Sequence, residues 1–84
     1  MEIVTVYSRS GCHLCENALY EIKKFSGEFN FQIEEILIDG DGELEKKYGE
    51  EVPVILINGK RHDFFKVDPE RFRTDMQNES RRHR

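Results

Sequence analysis

The sequence predicts an α/β domain in the order β-α-β-α-β-β-α, with a four-stranded mixed sheet flanked by helices. Two observations carry this. The apolar period switches repeatedly between a β-type and a helical spacing. Asn58-Gly59 between two apolar runs, followed by Asp68-Pro69-Glu70, gives a hairpin and then a helix start. At 84 residues, one compact domain is expected. A domain of this size buries only about 60 to 65% of its unfolded surface.

Ile3 to Tyr7 (IVTVY) is rich in β-branched residues and ends at Ser-Arg-Ser-Gly, so it reads as the first strand. Leu14, Cys15, Ala18, Leu19, Ile22 and Phe25 then recur at helical spacing. A helix from about Cys12 to Ser26 follows, with Ser10 as its cap and Gly27 as its stop. The second strand is expected over Phe31 to Ile38, with a bulge where Glu34-Glu35 breaks the alternation. Asp39 or Asp41 caps a short helix carrying Leu44 and Tyr48 and ending at Gly49. Val54 to Ile57 and Lys60 to Phe65 form the hairpin, and Phe72 and Met76 mark the buried stripe of the last helix. The first two strands pair in parallel through a right-handed crossover. The domain is assigned to residues 1–78, and 79–84 read as a basic, solvated tail.

The net charge is −4. Residues 1–70 carry 8 Lys and Arg against 15 Asp and Glu, whereas 71–84 carry 5 against 2. The acidic body argues against nucleic acid as a partner. No stretch reaches the ~20 apolar residues of a membrane span, and the start does not read as a secretion signal. A cytoplasmic, monomeric protein is the resulting expectation. In a reducing compartment a disulfide is usually transient or catalytic, and two cysteines are too few for a stapled scaffold.

Those cysteines, Cys12 and Cys15, stand where the first strand gives way to the first helix. A helix N-terminus carries unpaired N–H groups and about half a positive charge, which favours a thiolate. In a Cys-x-x-Cys motif there, the thiol pKa can fall from about 8.5 to roughly 7 or lower. Arg9 and His13 add to that effect if either cation approaches the sulfur. Cys15 lies one turn on, on the apolar stripe, and is expected to be the more buried thiol. Cys12 would attack a substrate disulfide, and Cys15 would then displace the product.

YSRSGCHLC, EEILID, VPVILINGK and VDPERF together resemble the glutaredoxin branch of the thioredoxin superfamily, over nearly the whole chain. The resemblance implies a thioredoxin-like, glutaredoxin-type fold and a thiol–disulfide oxidoreductase that reduces protein or glutathione mixed disulfides. It implies that Pro53 is cis and faces the cysteines, and that the backbone of Val52 pairs with the substrate chain. Arg9 matches the family's basic residue before the cysteines, which helps bind a glutathione carboxylate. His13-Leu14 departs from the common Pro-Tyr. The usual Gly-Gly-acid stretch is absent from RHDFFKVD (Arg61 to Asp68), where Asp63, Phe64 and Phe65 would crowd the tripeptide. The expected partners are therefore disulfide-containing proteins. A glutathione system or a thioredoxin-reductase-type enzyme would recycle the dithiol. No bound cofactor is expected, and glutathione is a candidate co-substrate.

Alternatives stay open. The chain could be a non-catalytic thioredoxin-fold binding or redox-sensor module. A closed zinc site needs four ligands, and the sequence offers one Cys pair and three histidines, His13, His62 and His83. Some relatives share an iron–sulfur cluster between subunits. Both metal readings are minor, and no metal ligand is assigned. His62 reads as surface hairpin.

Overall fold

The computed structural model describes residues 2–64 and 67–82, without side-chain detail at Phe64, Ser80 and Arg82. The elements are β1 (Glu2–Ser8), α1 (His13–Lys23), a 3-10 turn (Lys24–Gly27), β2 (Phe31–Leu37), α2 (Gly42–Tyr48), β3 (Val54–Ile57), β4 (Lys60–Phe64) and α3 (Pro69–Arg82). The sheet order is β2-β1-β3-β4, with β1–β2 parallel and the other two pairs antiparallel. This is the expected α/β class and mixed four-stranded sheet.

β1 is central because it is apolar on both sides. Val4 and Val6 are fully buried on one face, against Ala18 and Ile22 of α1, Ile55 and Ile57 of β3, and Phe72 and Met76 of α3. On the other face Tyr7 packs with Ile38, Tyr48 and Val54, and its ring stacks on Tyr48 at 4.5 Å. The larger core is thus the layer between the sheet and α1 and α3. Phe72 anchors it, with ring contacts to Phe25 at 5.0 Å and Phe31 at 6.1 Å.

Several local expectations are corrected. Cys12 is the N-cap of α1 and not part of its first turn, and Ser10 does not cap it. Instead the Ser10 N–H donates to Asp39 Oδ2 at 2.8 Å. Gly11, at φ 71°, lets the turn close through Cys12 N–H to Arg9 O at 3.3 Å. The α-helix stops at Lys23 and tightens into the 3-10 turn, which keeps Phe25 in the core.

β2 has no bulge. Its register to β1 runs unbroken from Glu2↔Phe31 to Ser8↔Leu37, through Thr5↔Glu34 and Val6↔Glu35. The two acids are tolerated because β2 is an edge strand whose side chains reach water. The irregularity falls between β3 and β4, at Ile55/Leu56, opposite His62. There His62 turns inward and is buried, so it is not surface hairpin. Its Nδ1 lies 2.5 Å from Asp75 Oδ2 and its ring meets Phe72 edge-on at 5.7 Å. A buried imidazole needs such a partner.

Other signals translate directly. Asn58 and Gly59 have φ of 52° and 82°, as a two-residue hairpin turn of the I′ type requires. Of the two candidate caps for α2, Asp41 accepts from Glu43 N–H and Leu44 N–H, both at 3.1 Å. Asp68 caps α3 through Glu70 N–H at 3.0 Å, with Pro69 in the first turn. α3 continues through Arg82, past the boundary set at residue 78. Glu79, beyond that boundary, is held on the helix by Lys60 Nζ at 3.7 Å and Asn58 Nδ2 at 3.4 Å. Phe65, Lys66, His83 and Arg84 lie outside the described residues.

Phe72 is 0% exposed and joins α3, β2 and the 3-10 turn through its ring contacts. Phe72→Ala is expected to cost about 3–5 kcal/mol of stability, measured by urea unfolding at unchanged m. A loss below about 1 kcal/mol would show that α3 does not depend on this anchor.

Candidate redox site

The site forms where β1 delivers the chain to the N-terminus of α1. Cys12, in extended conformation at the cap, aims its sulfur at the first turn, and Cys12 Sγ accepts from Cys15 N–H at 3.2 Å. The sulfur therefore takes the place a Ser or Asp oxygen fills in an ordinary cap. Cys12 and Cys15 are disulfide-bonded, with a Cα–Cα distance of 5.2 Å. That distance lies within the usual disulfide range of about 4.4–6.8 Å. The helix repeat brings the two thiols into reach. The exposure differs as expected: Cys12 is partly exposed, while Cys15 is 3% exposed and shares the buried stripe of α1 with Ala18 and Ile22.

The Val52–Pro53 peptide is cis, and Pro53 is fully buried. The antiparallel register Tyr7↔Val54 puts Pro53 just beyond the end of β3, beside the last residues of β1. Pro53 and the cysteines therefore stand at the same end of the sheet. Val52 is partly buried against the Ile38–Tyr48–Val54 cluster.

The Arg9 side chain reaches the C-terminal end of α2. Its Nη2 comes within 3.0 Å of the point that a β-carbon on Gly49 would occupy, and its Nε is buried without a hydrogen-bond partner. His13 projects into solvent with its side chain 95% exposed, 3.8 Å from Glu16. The site thus gathers Cys12, Cys15 and Pro53, sets Val52 alongside, holds Arg9 on the α2 flank and leaves His13 outside.

Asp39, one of the two candidate caps of α2, instead ties the β2–α2 loop to the Ser10-Gly11 turn. Its hydrogen bonds with Ser10, assisted by the charge of Arg9, hold its carboxyl below the usual carboxylate range. The sequence carried no signal for this contact, because it joins positions that become neighbours only once β1 and β2 pair. Among the described residues, no group of three or more His, Cys, Asp and Glu side chains is placed to hold a metal. No helix of the described residues is long and apolar enough to cross a membrane. A cleft of about 260 Å³, lined by Ile57, Lys60, His62, Asp75 and Asn78, opens near the Asn58-Gly59 turn, at the opposite end of the sheet from the cysteines.

A thioredoxin-like fold of the glutaredoxin type, with a Cys-x-x-Cys pair at the β1–α1 junction, defines the class. The comparisons agree with it. The E. coli glutaredoxin structure, 24% identical, superposes with a TM-score of 0.57 over 92% of this chain and 95% of that one, which bears on the fold alone. Residues 3–77 match the sequence model of the glutaredoxin-like domain (DUF836), and the chain belongs to that family. An uncharacterized protein of Mycobacterium tuberculosis is 30% identical over 78 residues, covering 87% of this chain and 80% of its own. The solution structure of a Nitrosomonas europaea protein, 28% identical, has a TM-score of 0.80 and covers 89% of this chain and 91% of that one.

The Asp39–Ser10 tether sets a pH dependence. A carboxyl depressed in the folded state adds stability above its unfolded value and loses it as pH falls through the folded value. Asp39→Asn is expected to lower Tm near neutral pH, and the gap to the wild type should close in acid. A gap that is constant across the carboxylate range, in thermal melts of both proteins, would show that the charge of Asp39 is not what holds the loop.

Proposed function

We propose that this protein is a dithiol oxidoreductase that reduces disulfides in protein substrates. The observation that carries the reading is Cys12 Sγ at the N-cap of α1, accepting the Cys15 N–H, with Cys15 buried beneath it. An N–H donor and the positive end of a helix both favour sulfur as an anion, and the thiolate is the attacking species. Cys12 attacks a substrate sulfur, and one substrate thiolate leaves. Cys15 then attacks Cys12, restoring the Cys12–Cys15 disulfide and releasing the second thiolate. The backbone of Val52, before the cis Pro53, lies at the same end of the sheet and is the proposed docking edge for an extended substrate segment.

The proposed setting is the reducing cytoplasm, with the protein as a monomer. The oxidised form is returned to the dithiol by a thioredoxin-reductase-type enzyme in preference to glutathione. The β4 stretch supports that preference: it offers Asp63, paired with Arg71 at 3.8 Å, where glutathione-using relatives have glycines. Arg9 remains the residue suited to a substrate carboxylate, given its buried, unpartnered Nε. A passive binding module is the other reading, and it predicts no turnover at all.

Cys12→Ser is expected to abolish reduction of a protein disulfide such as insulin. Cys15→Ser is expected to accumulate mixed disulfides on Cys12, visible by intact mass. Wild-type turnover in the Cys15→Ser variant would contradict the two-step scheme. In coupled assays, a thioredoxin-reductase-type enzyme should sustain more flux than glutathione with its reductase, and the reverse order would assign glutathione as the donor.

A further inference from the structure

Each of the four residues that lead to Gly11 and Cys12 is tied to β2 or to the segment that runs through α2. Tyr7 stacks its ring on Tyr48 at 4.5 Å. Ser8 O accepts from Ile38 N–H at 2.9 Å, and Ser8 Oγ donates to Glu35 Oε2 at 3.1 Å. The Arg9 guanidinium reaches Gly49, where its Nη2 lies 3.0 Å from the place of a β-carbon. The Ser10 N–H donates to Asp39 Oδ2 at 2.8 Å.

Gly11 is held differently. It takes φ 71°, and among the described residues nothing lies within 4 Å of the place its β-carbon would fill, so packing does not fix it. The turn closes through Cys12 N–H to Arg9 O at 3.3 Å, past the usual limit of about 3.2 Å. The Ser10–Asp39 bond is shorter and has an ionised acceptor, so it is the stronger of the two. It is the firm contact next to the glycine hinge on which Cys12 swings.

Asp39 acts on Cys12 in two opposed ways. Its negative charge disfavours a thiolate nearby. Its grip on Ser10 steadies the turn that sets Cys12 in extended conformation at the N-cap, where the sulfur accepts the Cys15 N–H at 3.2 Å and meets the positive end of α1. The second effect favours the thiolate. It is the larger, because Asp39 is exposed and its charge is already engaged by Ser10 and Arg9, which together with water weaken the repulsion. Resting on the reductase reading above, we infer that Asp39 is a positioning residue for Cys12: by holding the Ser10 N–H it keeps the Cys12 sulfur at the N-cap, ready to attack a substrate disulfide. Asp39 acts through Ser10 and the turn, and does not itself touch the substrate.

The sign of one shift tests this. In reduced Cys15→Ser protein, thiolate absorbance against pH reports Cys12 alone and needs no substrate. Adding Asp39→Ala, which removes both charge and acceptor, is expected to raise the Cys12 midpoint by about one pH unit, toward the free thiol value. Asp39→Asn keeps an acceptor for the Ser10 N–H, and its midpoint should rise by less than half as much. The pH profile of attack on a chromogenic aryl disulfide, read from the released aryl thiolate, should move with the midpoint in each variant. All are measured well below their melting temperatures, so lost stability alone moves neither readout. A midpoint that falls in Asp39→Ala would show that Asp39 acts on Cys12 by its charge, and an unmoved one that it serves the fold only; either overturns the inference. A raised midpoint in a protein whose wild type reduces nothing would keep Asp39 as the residue that holds the Cys12 sulfur in place and remove the proposed function instead.

Discussion

The structure turns on one hydrogen bond at one junction: the Cys15 N–H donated to Cys12 Sγ at the N-cap of α1. Every helix start has N–H groups to satisfy, and here a sulfur satisfies one of them. The group that stabilises the local fold is therefore the group proposed to do the chemistry. The same helix repeat that provides the donor sets the second cysteine within disulfide reach, buried against the core. Favouring an anionic Cys12 and supplying a protected Cys15 are two consequences of a single strand-to-helix turn.

The rest of the molecule keeps that turn in place. β1 is the strand that ends at the site, and it is central in the sheet, with apolar side chains on both faces. α1 is held on one of those faces by Ala18 and Ile22, and Pro53 is fixed beside the junction by the β1–β3 register. Asp39 clamps the turn from the β2–α2 loop. At the far end, the Asn58-Gly59 turn, the inward His62 and its Asp75 partner lock the hairpin to α3. The cysteines lie at the opposite end of the sheet from the cleft beside the Asn58-Gly59 turn.

Most of the architecture was legible because it is written in local signals. Asn58-Gly59, Asp68-Pro69 and the helical stripe from Cys15 to Phe25 each specify their element through turn chemistry, capping or period. The errors arose where tertiary contacts decide. Ser10 looks like a cap, but the cap is Cys12 and Ser10 is taken by Asp39, distant in sequence. Glu34-Glu35 looked like a bulge, yet an edge strand admits two acids without changing register. His62 looks like surface because polar hairpin residues usually are; the register shift beside it and its Asp75 partner are tertiary features that the sequence does not connect to it. Of the site, the cysteine pair and Pro53 were legible from motif and order. The placement of Arg9 against α2 was not, since a long side chain chooses its partners in three dimensions.

The central claim is that Cys12 is held as an anion by the leading end of α1. Thiolate absorbance of the fully reduced protein, followed against pH with Cys15→Ser as a reference that isolates Cys12, measures this directly. The account predicts a Cys12 midpoint of roughly 7 or lower, well under the free thiol value of about 8.5. A midpoint at or above the free value would mean that the helix N-terminus does not activate the sulfur, and the account would be contradicted at its base.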